Sequence, residues 1–424
     1  MKFQLRTAGQ IVFGAGELER VPELIAPLGR RVLLCTGAGS LARSGRLATL
    51  STALSARGLE ITHLTIPSEP DIALIDAAAE RCRQAECQAV LAIGGGSVLD
   101  AGKAVAALAT NPGPAIEYLE DVGLGSPRPI AQPPLPLCAA PTTAGSGSET
   151  TRNAVLRVPE LGVKRSMRSD LMLPRIALID PRLLSDAPLH VAAAAGLDAL
   201  THLIEGYVSR GAQPTTDVLA QRGIGLMYRA LCRLADLCTG TDPAQVPLAD
   251  PPPSATGRDA DRGANRPPPS AIAADLALGS LWGGIVLANA GLGAVHGLVA
   301  PLGGLCGVAH GDGCACLLPA TFRANLRALS ARATGSLALH RYHEIAALLS
   351  ENSPTEDAPR AEEAADVLQR LRSRLRVPSL ASQGVRPEHF DRIIGQARGG
   401  SMRSNPIELT DDELGEILRA SLSE

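Results

Sequence analysis

Short apolar runs alternate with stretches of helical periodicity along the first 185 residues. Four of the apolar runs predict buried strands, at residues 30–39, 86–97, 134–149 and 173–181. Two stretches between them predict helices, at residues 47–58 and 75–86. Because strands that alternate with helices usually form βαβ units, this part of the chain predicts a largely parallel sheet covered by helices.

The pattern changes after Pro181, where helical periodicity continues with few strand signals. Helices are predicted at residues 192–209, 215–238, 271–293, 338–350 and 362–376. The predicted architecture is therefore an α/β domain over residues 1–185 followed by an all-α domain over residues 186–424. Residues 239–270 are rich in Pro, Asp, Arg and Gly without periodicity, which predicts a flexible surface insertion.

Composition excludes several classes of partner. The 424-residue chain has a net charge of -3 and a pI of about 6.3, so it lacks the basic surplus of a nucleic-acid-binding protein. No secretory signal and no apolar run of the ~20 residues needed to span a bilayer was found, which predicts a protein without a membrane partner. The nine cysteines are odd in number and scattered, which favours reduced, structural thiols and a cytoplasmic location; Cys314 and Cys316 are included in that interpretation.

Three turns of small residues follow predicted strands. Residues 94–97 (GGGS) join a strand directly to a helix, residues 142–148 carry several hydroxyls, and residues 36–40 (TGAGS) follow the first strand. Glycine turns at strand ends let backbone N–H groups approach a phosphate, and the following helix adds its positive end. A tight turn without a ligand is the alternative for any one of them. Together they favour an extended phosphate-bearing ligand such as a dinucleotide.

A carboxylate and an imidazole share one face of a predicted helix, because Asp198 and His202 are four residues apart. Such a pair also occurs as an ordinary surface contact. However, His296 follows in a glycine-flanked segment near the end of a long apolar helix, and His310 follows in a second glycine-flanked segment. One carboxylate with three imidazoles suits a divalent first-row metal such as Fe²⁺ or Zn²⁺. The remaining histidines are interpreted as structural or surface residues, at positions 63, 190, 340, 343 and 389.

Several segments together resemble the iron-containing (group III) alcohol dehydrogenase family over nearly the whole chain. They are GQIVFGAGELERVPELI, GGGSVLDAGKA, PTTAGSGSE, GLDALTHLIEGYVS, GAVHGLVAPLGG with the later AHG, and the tail GSMRSNPIELTDDEL. The resemblance implies a dinucleotide-binding α/β domain and a helical domain of the dehydroquinate synthase-like architecture, with a metal in the cleft between them. It assigns the metal to Asp198, His202, His296 and His310. It assigns the cofactor to Gly37, Ser40, Gly95, Gly96, Ser97, Asp100, Thr142, Thr143, Ser146 and Lys164.

Two positions depart from the family pattern. Many relatives that prefer NAD carry an aspartate after the first strand, where this chain has Gly37. Without that carboxylate a 2′-phosphate is not repelled, and Ser40 and Arg43 are close enough in sequence to bind one. NADP(H) is therefore favoured over NAD(H). Some relatives also carry a histidine, proposed to relay a proton, at the position of Ala300 here.

The resemblance predicts a metal-dependent, NAD(P)-linked alcohol dehydrogenase or aldehyde reductase that acts on small alcohols or aldehydes by hydride transfer. A maleylacetate reductase-type enzyme or another reductase of carboxylated substrates is the alternative, followed by a sugar-phosphate cyclase of the dehydroquinate synthase type. A non-enzymatic scaffold would be expected to have lost ligands, whereas all four are present. By family analogy, residues 4–14 form an edge strand through which the protein forms a homo-oligomer, most simply a dimer.

Overall fold

The computed structural model describes residues 2–243, 246–249, 269–349 and 359–423. Its strands are β1 (Gln10–Phe13), β2 (Arg31–Gly37), β3 (Glu60–Ile66), β4 (Ala89–Gly94), β5 (Leu137–Pro141), β6 (Asn153–Val158), β7 (Val163–Arg168) and β8 (Ile176–Ile179). Within the described ranges, six of them form one parallel sheet in the order β1-β8-β5-β4-β2-β3. The strands β6 and β7 pair separately as an antiparallel hairpin.

The centre of the sheet follows from its apolar sequence. Every residue of β4 and of β5 is buried, as expected of parallel strands with both faces covered. The four strands predicted from apolar runs correspond to β2, β4, β5 and β8. The sequence did not reveal β3 or the hairpin, because both are half exposed and their apolar residues are interspersed with polar ones.

Helices surround the sheet and make up the second half. Those in the first half are α1 (Val21–Ile25), α2 (Ser40–Arg43), α3 (Arg46–Ala56), α4 (Ile72–Gln84) and α5 (Gly96–Thr110). Those in the second half are α6 (Leu189–Val208), α7 (Pro214–Cys238), α8 (Pro269–Ala290), α9 (Ala294–Cys306), α10 (His310–Arg332), α11 (Leu337–Leu348), α12 (Ala361–Arg374), α13 (Phe390–Ala397) and α14 (Asp411–Leu422). Since β8 ends at Ile179 and α6 begins at Leu189, we propose the domain boundary near residue 185.

The helix α8 is apolar on all sides and packs against α6 and α7. Its length and a mean hydropathy of 1.7 would allow it to cross a membrane, which the sequence analysis did not anticipate. However, 61% of that apolar window is buried inside the protein, as in the core helix of a large helical domain. The predicted flexible insertion before it, residues 239–270, lies mostly outside the described residues.

One helix prediction was wrong in a way that matters for the site. The sequence placed His296 near the end of the long apolar helix, but α8 ends at Ala290 and His296 lies in the first turn of α9. Gly291 takes a left-handed backbone conformation (φ +73°), which ends α8 and redirects the chain. The imidazole is thereby presented from a separate helix.

Candidate active site

Three glycine-rich turns meet at one edge of the sheet. β2 pairs with β3 on one side and with β4 on the other, and the chain then continues outward through β5 and β8. The strand order therefore reverses between β2 and β4, and ligands of open α/β sheets bind at the carboxyl ends of strands beside such a reversal. The predicted turns at residues 36–40, 94–97 and 142–148 begin at the carboxyl ends of β2, β4 and β5.

The turns after β4 and β5 are in contact. A Cβ at Gly96 would lie 2.9 Å from Ser146 Oγ, and one at Gly95 would lie 3.6 Å from Thr143 Oγ1. The backbone N–H of Thr142 donates to the carbonyl of Gly94 at 2.9 Å. The helix α5 begins here with Gly95 as its N-cap and without a side-chain cap, which leaves N–H groups available to a phosphate.

A network of hydrogen bonds connects the turn after β5 to α5. Asp100 Oδ1 accepts a hydrogen bond from Ser148 Oγ at 2.6 Å, and its Oδ2 accepts one from the N–H of Val155 at 2.9 Å. Lys103 Nζ donates to Ser148 O and to Thr151 Oγ1, each at 3.0 Å. Both oxygens of Asp100 are thus bonded within the protein, which favours a role in positioning the turns over direct binding of a ligand.

The other residues assigned to the cofactor lie at the end of β2, at the start of α2 and on the hairpin. The exposed Arg43 folds back over Gly39, where an added Cβ would clash with its guanidinium. Ser40 begins α2 beside them. Lys164 on β7 forms an ion pair with Glu69, which follows β3 (Nζ–Oε1 2.5 Å), and reaches toward Gly303 of α9.

Four side chains from three helices converge on a single point in the helical half. Oδ1 of Asp198 lies 3.6 Å from Nε2 of His202, 3.3 Å from Nε2 of His296 and 3.6 Å from Nε2 of His310. Asp198 and His202 come from α6, His296 from α9 and His310 from the start of α10. The structure therefore brings together all four residues that the sequence predicted as ligands.

These spacings fit a metal better than hydrogen bonding. Two ligand atoms of a tetrahedral zinc ion, each about 2.1 Å from it, lie about 3.4 Å apart. The 3.6 Å separations from Asp198 to His202 and His310 exceed a normal hydrogen bond. In addition, Nδ1 of His202 is buried and makes no hydrogen bond of normal geometry, although the backbone of Gly145 is close by. The donor set therefore suits a divalent first-row metal.

The electrostatics at Asp198, His202 and His310 favour the protonation states that a metal requires. Burial acts to raise the pKa of Asp198, but the adjacent imidazoles hold it well below its ordinary value. Burial lowers the pKa of His202 to about 3, against the attraction of Asp198. The pKa of His310 is also lowered, chiefly by loss of solvation, although 49% of its side chain remains exposed. A charged carboxylate and neutral imidazoles are the forms that bind metals.

His296 differs from the other two imidazoles because its second ring nitrogen is hydrogen-bonded to a carboxylate. Nδ1 of His296 donates to Glu205 Oε2 at 2.7 Å, and Glu205 Oε1 accepts from the N–H of Val295 at 2.7 Å. Burial opposes a charge on His296, but Cys314, Asp198 and Glu205 together raise its pKa well above the ordinary value. A bound metal would take the place of that proton on Nε2, while Glu205 keeps Nδ1–H oriented.

Sequence reasoning missed two residues at this site. Glu205 lies seven residues after Asp198 and three after His202, so it continues the same stripe of α6 and could have been found from that spacing. Cys314, which the sequence analysis interpreted as a structural thiol, lies with its Sγ 3.7 Å from Nε2 of His296. Among the described residues, the ligand atoms of Asp198, His296, His310 and Cys314 all lie within 4.8 Å of one another.

Comparison with known proteins identifies the family of the chain. The sequence matches the family described as iron-containing alcohol dehydrogenase over residues 8–181, and the C-terminal part of that family over residues 192–240 and 265–422. The chain belongs to the iron-containing alcohol dehydrogenase family. The resemblance found in the sequence and the predicted fold class are thereby confirmed.

Relatives named as dehydrogenases of alcohols align along most of the chain. The probable alcohol dehydrogenase EutG of Salmonella typhimurium is 32% identical over 386 residues, which cover 90% of this chain and 85% of EutG. The 1,3-propanediol dehydrogenase of Klebsiella pneumoniae is 31% identical over 416 residues, covering 96% and 95% of the two chains.

Solved structures agree with these sequence relationships. The crystal structure of a 1,3-propanediol oxidoreductase superposes with a TM-score of 0.82 at 28% identity, covering 99% of this chain and 100% of the other. That of sulfoacetaldehyde reductase from Bifidobacterium kashiwanohense in complex with NAD⁺ superposes with a TM-score of 0.80 at 25% identity, covering 100% and 99%. As a member of this family, the protein is an oxidoreductase that acts on CH–OH groups and uses a divalent metal.

Proposed function

We propose that the protein is a metal-dependent, NAD(P)-linked alcohol dehydrogenase or aldehyde reductase for small alcohols and aldehydes, with Fe²⁺, Zn²⁺ or another divalent first-row metal bound by Asp198, His202, His296 and His310. The observation that carries the proposal is the convergence of three imidazole Nε2 atoms, 3.3 to 3.6 Å away, on a single carboxylate oxygen. The side chain of His310 is half exposed, so one side of this cluster is accessible to solvent.

The proposed reaction moves a hydride between the alcohol carbon and a nicotinamide. The metal, when bound, supplies a Lewis acid that polarises the substrate oxygen. Asp198 provides the negative charge that balances the ion, and the carboxylate of Glu205 fixes the tautomer in which Nε2 of His296 is the free donor. Ala300 is exposed and has no titratable group, so if a proton relay is needed at this position, water or the cofactor ribose must provide it.

We propose that NADP(H) is preferred over NAD(H), with the pyrophosphate at the turn Gly95, Gly96 and Ser97 and the nicotinamide half near Thr142, Thr143 and Ser146. Support for the preference comes from the end of β2. Gly37 offers no carboxylate to repel a 2′-phosphate, and the guanidinium of Arg43 lies over the adjacent Gly39. Arginine binds phosphate with paired, charge-assisted hydrogen bonds.

A reductase of carboxylated substrates remains the second candidate. It would need a cation for the carboxylate near the metal, and Lys164 is close enough to affect His310 electrostatically. However, Lys164 is already paired with Glu69. A sugar-phosphate cyclase would require a pocket rich in lysine and arginine, and the cluster of one aspartate and three histidines argues against it.

We propose a cytoplasmic location and a homodimer. All nine cysteines are free thiols, as expected in a reducing compartment. The strand β1 lies at an edge of the sheet and exposes Ile11 and Phe13, with Phe3 and Leu5 exposed just before it. Apolar side chains on an unpaired edge favour pairing with a second chain.

The test of the proposed function is aldehyde reduction by purified protein loaded anaerobically with Fe²⁺ or Zn²⁺. NADPH and NADH are supplied in parallel across a panel of short aldehydes. We expect metal-dependent oxidation of NADPH that is abolished in His296→Ala and retained in the control His340→Ala, whose side chain is 70% exposed. A preference for NADH would overturn only the cofactor assignment. Full metal loading without turnover of any aldehyde would contradict the proposed reaction.

A further inference from the structure

A buried cysteine, Cys314, lies beside the side chains of the metal cluster. Cys314 lies on α10 one turn after His310, and the i, i+4 spacing puts the two side chains on the same face of that helix. The thiol is fully buried, and its Sγ is 3.7 Å from Nε2 of His296. The possible ligand atoms of Asp198, His296, His310 and Cys314 lie within 4.8 Å of one another.

The surroundings of this thiol differ from those of an ordinary core cysteine. A buried free cysteine usually behaves as a small apolar side chain. Cys314 instead interacts with two side chains of the proposed metal site, Asp198 and His296. Two residues later, the equally buried Cys316 has other partners, because its Sγ lies 3.1 Å from Pro378 O and 3.3 Å from Nη1 of Arg372. The chain thus contains one thiol at the cluster and one matched thiol away from it.

We propose that Cys314 is a sulfur ligand of the metal and makes the site select Zn²⁺ or Co²⁺ over Fe²⁺. This inference rests on the proposed function, since it assumes that the same cluster holds the metal. Thiolate is a soft ligand that favours zinc over harder cations, and zinc sites can expand from four to five ligands. Sulfur can therefore take a fifth position beside the carboxylate and the three imidazoles while no substrate is bound, and it would leave that position to the substrate oxygen in the proposed reaction.

The coordination step is chemically complete without a further reactant. The S–H bond of Cys314 is replaced by a bond from sulfur to the metal, and the proton is released to solvent. No electron is transferred. The change affects which metal is held and how tightly, so it can be measured without any assay of turnover.

Cobalt provides the direct test, because bonding of sulfur to Co²⁺ produces a charge-transfer absorption band in the near ultraviolet. The apoprotein is titrated with Co²⁺ under anaerobic conditions, in the wild type and in the variants Cys314→Ser and Cys316→Ser. We expect the band in the wild type and in Cys316→Ser and its loss in Cys314→Ser. Competition with a chelator should show Zn²⁺ binding weakened in Cys314→Ser by more than the ~100-fold that loss of an outer hydrogen bond costs at most, with a smaller effect on Fe²⁺.

The wild-type spectrum alone can overturn the inference. Stoichiometric Co²⁺ binding without the sulfur band would exclude Cys314 as a ligand and leave the proposed function intact. Equal weakening of Zn²⁺ and Fe²⁺ in Cys314→Ser would also overturn it, because selection would then not depend on sulfur. Absence of stoichiometric metal in the wild type would overturn both this inference and the proposed metal site. If Cys314→Ser does not fold, Cys314→Ala replaces it.

Discussion

The cofactor edge and the metal cluster of this protein are built in opposite ways. The cofactor edge consists of turns at the ends of β2, β4 and β5, and its proposed contacts to phosphate come largely from the backbone. The metal cluster consists of side chains from α6, α9 and α10, separated by up to 112 residues between Asp198 and His310 (310 minus 198). The cofactor edge can therefore be recognised from local sequence, whereas the metal cluster depends on how helices that are distant in sequence pack together.

The turn after β5 of the cofactor edge packs against α8, which in turn packs against α6 of the metal cluster. A Cβ at Gly284 of α8 would lie 2.6 Å from the carbonyl oxygen of Gly147, so backbone packs directly on backbone at this joint. Next to it, Glu149 is buried and its Oε2 has no hydrogen-bond partner. If the two regions are independent, a change in the cofactor edge should weaken binding of the cofactor and leave metal binding unchanged. A change in the metal cluster should do the reverse.

The largest effect is expected for Asp198→Asn, which removes the negative charge shared by three imidazoles. Loss of a Lewis acid worth several kcal/mol should lower kcat/KM by about 1000-fold or more, with matching loss of bound metal. Binding of NADPH, followed by its fluorescence, should change little because the cofactor edge is untouched. Retention of metal with full activity would show that the cluster is not the metal site.

Glu149, which lies next to the contact between Gly147 and Gly284, should make folding stability depend on pH. Burial raises the pKa of Glu149 from 4.5 to about 7. Between these values the unfolded chain loses the proton while the folded protein keeps it, so folding stability falls as pH rises and stays lower above pH 7. Glu149→Gln removes this loss, and the variant should become more stable than the wild type by up to about 3 kcal/mol at pH 8. Denaturant unfolding at pH 4.5, 6 and 8 measures it.

The matched control for that series is Glu160→Gln, at an exposed position of the same domain. Its stability relative to the wild type should be the same at the three pH values. A difference between Glu149→Gln and the wild type that does not grow with pH would contradict the buried, protonated state assigned to Glu149.

In the cofactor edge, Gly96→Ala should separate two turns that are in contact. The added Cβ would lie 2.9 Å from Ser146 Oγ, and overpacking of this kind costs about 1 to 3 kcal/mol. Binding of NADPH should therefore weaken by roughly 10- to 100-fold. Metal content should stay at the wild-type level; a simultaneous loss of metal would mean that the two regions are not independent.

The smallest effect is expected for Arg43→Ala, which removes the exposed guanidinium beside Gly39. One charge-assisted contact to a 2′-phosphate is worth about 1.5 kcal/mol, so KM for NADPH should rise about 10-fold. KM for NADH should not change, because NADH lacks that phosphate. An equal rise for both cofactors would contradict the role assigned to Arg43.

The difference between the regions also explains what could be predicted from sequence. The turns after β2, β4 and β5 were recognisable because each glycine cluster directly follows its strand. Asp198 and His202 were recognisable because they are one helical turn apart. His310 and Cys314 have the same spacing, but Gly311 and Gly313 lie between them, and glycine disfavours helix so strongly that α10 was not predicted. The contact between Cys314 and His296 depends on packing of α9 and α10, which no local pattern encodes.

The most direct test of the account is anomalous diffraction from crystals of the metal-loaded protein, recorded at the absorption edge of the metal. We expect one strong peak within bonding distance of Asp198 Oδ1 and of Nε2 of His202, His296 and His310. A peak elsewhere, or none at this cluster in protein that carries stoichiometric metal, would contradict the assignment of these four residues as the metal site.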